Sequence, residues 1–258
     1  MPINNPVENL FMSFCKQLLG VQQQTTNVGV LLELGQIPMV FLAQKNAIKN
    51  WVRITTNTKC NNNMINSYHT SVLENLPWFL NMEHKLSEIG MREQFLSHDK
   101  DTHLKAFQRM TDIFHQEAFS DIQRDDSKLR TYSLLKLEPG FENYLCDIKS
   151  IKERTALTKF RLSNHMLMIE KGRHIKPKLH ESKRVENEIH FLLKCKEYQN
   201  LRNELLVEAK KYIPLPPFQS DKHKFCALIK ETPHLASQFI SKASELREFL
   251  LAKHKVPD

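Results

Sequence analysis

Residues 154–202 read RTALTKFRLSNHMLMIEKGRHIKPKLHESKRVENEIHFLLKCKEYQNLR. The stretch opens as an amphipathic basic segment around Arg161 and His165 and crosses a Lys/Arg/His-rich passage from Lys171 to Arg184. It closes on a His190-x4-Cys195 pair inside an apolar run. Cations meet phosphates, and a His/Cys pair of this compactness is half of a four-ligand zinc site. The combination predicts a nucleic-acid contact built beside a zinc-knuckle-like turn.

The charge around that stretch is focused. The chain of 258 residues carries a formal net charge of +8, and from Lys149 to Lys196 thirteen Lys/Arg stand against five Glu, again an excess of +8. The remainder is near neutral. Such a tract suits a polyanion, either nucleic acid or an anionic membrane surface. The candidate phosphate contacts are Lys159, Arg161, Lys171, Arg173, Lys176, Lys178, Lys183 and Arg184. Aromatic interleaving is poor, since Phe160 reads as buried. The composition therefore predicts binding to RNA or DNA backbone with little sequence selectivity.

Working outward, the periodicity is helical. A 41% hydrophobic and 26% charged chain fits a globular core, and 6 glycines argue against phosphate loops and against a sandwich or barrel. Val7, Leu10, Phe11, Phe14, Cys15 and Leu18 share one face of a helix over 4–20, which makes Cys15 a packed core cysteine. A short helix from Asn27 to Leu34 stops at Gly35, and Pro38 opens another through Ile54. A polar, Asn-rich connection follows Thr55. Helical patterns then cover 64–90, with a break at Pro77, followed by 101–122 and 127–137. Tyr198, Leu201, Leu205, Ala209 and Tyr212 make one stripe, and helices over 221–231 and 233–253 end the chain. The expected fold is all-α, a multi-helix bundle with a short irregular basic segment near 172–186. Its parts would be 1–56, 64–150, 151–202 and 203–258.

Five widely spaced cysteines without a Cys-x2-Cys pair fit reduced thiols. The start, MPINNPVENL, lacks a signal-peptide pattern, and the apolar run from Val28 to Ala43 is broken by Glu33, Gly35, Gln36 and Pro38. A nuclear or cytoplasmic protein is expected, not secreted and with no membrane partner.

T-A-L-T-K-F-R, S-N-H, I-E-x-G-R, E-x-E-I-H-F-L-L-x-C and Y-x-x-L-R recur in this order from Thr155 to Arg202. F-C-K-Q-L-L-G-V, T-x-N-x-x-V, E-L-G-x-x-P and L-R-T-Y-x-L-x-K precede them. Over 3–54 and 129–202 the pattern is similar to the C-terminal, post-polymerase region of reverse transcriptases from non-LTR (LINE-type) retrotransposons. The resemblance implies a thumb-like helical segment over 1–56 and a CCHC zinc knuckle. In that family a Cys-x2-Cys pair precedes H-F-L-x-x-C. Here residues 174–185 read HIKPKLHESKRV without cysteine. His190 and Cys195 are then the remnant of a metal site, with His174 and His180 as the only local substitutes, and no cofactor is expected.

A complete parent protein would be an RNA-directed DNA polymerase. The only Asp-Asp, Asp125-Asp126, lies in the polar sequence IQRDDSKLR and reads as a turn. No G-x-S-x-G, H-E-x-x-H or P-loop occurs. The expected function is that of a non-catalytic reverse-transcriptase fragment binding RNA or DNA backbone weakly through 149–196. The alternative is a helical structural or protein-interaction module without nucleic-acid activity.

Overall fold

Side-chain caps start several of the helices that the apolar spacing demands. Ser150 Oγ accepts from Glu153 N, Asn187 Oδ1 from His190 N and Ser220 Oγ from His223 N, each satisfying a backbone donor that a helix start leaves open. The computed structural model describes residues 5–56, 66, 70, 77–97, 100–124, 126–167, 187–214 and 220–253. Its helices are α1 (Pro6–Leu19), α2 (Asn27–Glu33), α3 (Met39–Thr56), α4 (Pro77–Glu88), α5 (Arg92–Ser97), α6 (Thr102–Gln123) and α7 (Tyr132–Leu135). They continue with α8 (Tyr144–Asp147), α9 (Ile151–Arg161), α10 (Glu188–Leu193), α11 (Gln199–Ala209), α12 (Asp221–Glu231) and α13 (Pro233–Lys253). The fold is all-α. Among the described residues there is no strand, only an isolated antiparallel bridge between Leu34 and Phe141. None of these helices is long and apolar enough to cross a membrane.

The chain divides into two compact units, one of Met1–Phe11 and Ile37–Ala118, the other of Met12–Gln36 and Phe119–Asp258. This differs from four consecutive segments: the expected 1–56 part is divided between the units, and 151–202 shares one core with 203–258. In the first unit Ile48, Trp51 and Val52 of α3 pack with Met82 and Leu86 of α4, Met91 and Ala106. Phe41 meets Phe114 edge-on at 6.2 Å. Glu8 accepts from Val40 N at 2.9 Å, which places a carboxylate at the positive end of α3.

The core of the second unit is larger. Phe191 touches Phe160, Tyr198 and Phe239 at centroid distances of 5.7, 4.8 and 6.0 Å. Leu157, Leu205, Phe225, Leu228, Ile240 and Ala243 complete the packing. Gly35, at φ +59°, ends α2, and a Cβ there would lie 2.5 Å from Phe141 N. Only glycine lets the two backbones come this close.

Two expectations about helices are corrected. In α1 the buried residues are Met12, Cys15, Lys16 and Leu19, while Val7, Leu10, Phe14 and Leu18 are exposed. The helix has two adjoining apolar stripes, and Lys16 is tolerated in the buried one because its Nζ reaches Gln23 O at 2.6 Å. Over 127–137 only the single turn of α7 is α-helical. There Leu129 N donates to Ser127 Oγ and Ser133 Oγ donates to Arg130 O, side-chain bonds of the kind that compete with a helical ladder.

At the centre of the second unit lies a row of alternating charges. Arg161 Nε and Nη2 donate to Glu33 Oε1 and Oε2 at 2.6 and 3.1 Å, and Nη2 also meets Glu142 Oε2 at 2.7 Å. Lys136 Nζ takes Glu142 Oε1 at 2.7 Å and Gly140 O at 2.6 Å. Tyr144 donates its hydroxyl to Glu33 Oε1 at 2.5 Å, and its ring lies 5.1 Å from the Arg161 guanidinium. Burial disfavours the charged guanidinium, but Glu33 outweighs it, helped by Glu142, and holds the Arg161 pKa above its ordinary value. Glu33 is 0% and Arg161 2% exposed, so removing one partner strands the other without water. Arg161→Leu should cost about 3–5 kcal/mol in urea unfolding. Adding Glu33→Gln should return part of that loss.

Candidate nucleic-acid interface

The interface expected from the sequence begins on α9. Glu153 in its first turn and Lys159 and Arg161 in its last suit the helix dipole. The helix stops because Ser163 turns into the left-handed region at φ 50°, with Asn164 N bonded back to Lys159 O at 2.8 Å. A serine accepts this conformation at a cost that its surroundings must offset. Ser163 Oγ donates to Glu188 Oε1 at 3.2 Å, and Asn164 Oδ1 takes Gln22 N at 3.1 Å.

Glu188, the first residue of α10, gathers the partners of this turn. His165 Nε2 lies 3.0 Å from Oε1, and Arg130 Nη2 lies 3.3 Å from Oε2. Burial pushes the carboxyl up, but the hydrogen bond and charge of His165, with the charge of Arg130, overcome it and hold the group at about 2. Glu188 is therefore a carboxylate, and His165 donates to it through Nε2. The other ring nitrogen, Nδ1, is buried and has no hydrogen-bond partner among the described residues.

Of the eight expected phosphate contacts, Lys159 and Arg161 fall within the described residues. Lys171, Arg173, Lys176, Lys178, Lys183 and Arg184 lie outside them, as does the basic segment near 172–186. Arg161 is a correction. Its guanidinium is buried against Glu33 and Glu142 and cannot face a phosphate. Lys159 is half-buried on the surface of α9, with no ion pair among the described residues.

His190 and Cys195 occupy α10 and the turn that follows it. Among the described residues no group of three or more His, Cys, Asp or Glu is placed to hold a metal ion. The turn is organised from another direction. Buried Arg202 donates through Nε to Leu192 O at 2.8 Å and through Nη2 to Cys195 O at 2.5 Å, with Nη1 on Gln199 Oε1 at 3.1 Å. One guanidinium thus satisfies one carbonyl at the end of α10 and one in the turn that follows, and Tyr198 closes the turn against Phe191. Sequence reasoning assigned no role to Arg202, Arg130 or Glu188 here. A single acid at the head of an apolar run, as in Glu188 before IHFLL, was the signal available.

Two concavities flank these residues within the second unit. The larger, about 750 Å³, is bordered by Lys136, Glu142, Tyr144 and Arg161, whose charges already satisfy one another. The other, about 430 Å³, is a groove walled by α9 and α13 and by residues 164–167. Lys159, His165, Ser244 and Arg247 line it over an apolar bed that includes Phe160 and Ile240. Lys152 at its edge pairs with Glu245 at 2.5 Å.

The carboxylate of Glu188 is held below its ordinary value of 4.5, so its contribution is complete above pH 4.5 and lost as pH falls toward 2. That contribution is roughly 3 kcal/mol. Urea midpoints at pH 7 and pH 3 should differ less in Glu188→Gln than in the unaltered protein. The His190–Cys195 turn depends on Arg202, so Arg202→Met should lower stability by about 1–3 kcal/mol, while a zinc chelator should leave the unaltered protein's Tm unchanged.

No protein-family model, no curated protein and no solved structure matches the chain.

Proposed function

We propose that this chain is a non-catalytic, nucleic-acid-binding fragment of the kind its sequence resembles, the region that follows the polymerase in a non-LTR retrotransposon reverse transcriptase. It binds RNA or DNA through phosphates, weakly and with little sequence selectivity. One observation carries the reading. Burial withdraws Arg161 and Glu188 from the tract 149–196, one charge of each sign, and Lys152 and Lys194 pair with Glu245 and Asp221 beyond it, so the tract keeps a positive excess. Lys159 lines the groove and has no ion pair among the described residues. No reaction is assigned. Asp126, of the Asp-Asp sequence, is an exposed residue engaged by Arg124 at 3.1 Å.

A second reading, a helical interaction module without nucleic-acid activity, is favoured by a different feature. Val7, Leu10, Phe14 and Leu18 form an exposed apolar face on α1, between 59% and 73% accessible, and such faces serve protein contacts.

Salt dependence separates the two. Fluorescence anisotropy against single-stranded RNA and duplex DNA should show log K falling with log salt, by about 0.9 per phosphate neutralised on duplex and about 0.7 on single strands. Lys159→Ala should reduce that slope by about one contact. Absence of binding at low salt would leave the interaction module as the reading.

A further inference from the structure

We draw no further inference here: the strongest candidate, the exposed apolar face of α1 formed by Val7, Leu10, Phe14 and Leu18, belongs to the interaction-module reading already given, and nothing among the described residues shows what covers it.

Discussion

A carboxylate and a guanidinium shut away from water set the terms for the rest of the second unit. Glu33 and Arg161 sit 128 positions apart in sequence and meet in a two-point contact in its interior. Desolvating two charges rarely yields net stability over a well-packed apolar pair. What it does impose is exclusivity: any packing that separated these groups would strand both. Glu142 and Lys136 extend the row, so four charges balance within the fold. Because Arg161 is the last residue of α9, anchoring it also fixes where the chain must turn. The left-handed Ser163, the His165–Glu188 contact and the start of α10 follow within a few residues.

How much of this was legible in the sequence depended on the range of the interaction. Helices α12 and α13 lie where caps and apolar spacing put them, over 221–231 and 233–253, because Ser220 and Pro233 are local signals. α6 emerged from its spacing for the same reason. The face that α1 buries did not, since Val7, Leu10, Phe14 and Leu18 spell an apolar stripe as plainly as Met12, Cys15 and Leu19 do. Tertiary packing chose between them. Arg161 shows the limit most clearly. A cation in a basic tract reads as a surface group until its partner is known, and the partner lies far upstream in VGVLLELG. A lone acid inside such an apolar run must be neutralised or paired, and here Arg161 pairs it.

Burial and pairing also account for the motifs that carry the sequence resemblance. E-L-G contributes Glu33, L-R-T-Y contributes Arg130, and T-A-L-T-K-F-R contributes Thr158 and Arg161. S-N-H contributes Ser163, Asn164 and His165, while E-x-E-I-H contributes Glu188 and Y-x-x-L-R contributes Tyr198 and Arg202. Each of these side chains has an identified partner in the second unit. They are the residues of an architecture, held for packing and polar satisfaction. On the nucleic-acid reading, phosphate contacts fall to other groups, the cations that this architecture displays.

The second unit is also discontinuous, its first piece ending at Gln36 and its second beginning at Phe119. During synthesis α2 emerges with Val30, Leu31, Leu32 and Glu33, all of them buried in the finished fold, long before the groups that cover them. At about 5–20 residues per second, the 128 positions from Glu33 to Arg161 correspond to roughly 6–26 s. For that interval the nascent chain displays an apolar turn and an unmatched carboxylate, and closing so long a loop is slow in its own right. Folding of this unit thus waits for its second piece, and its first piece is the part most in need of shelter on the ribosome.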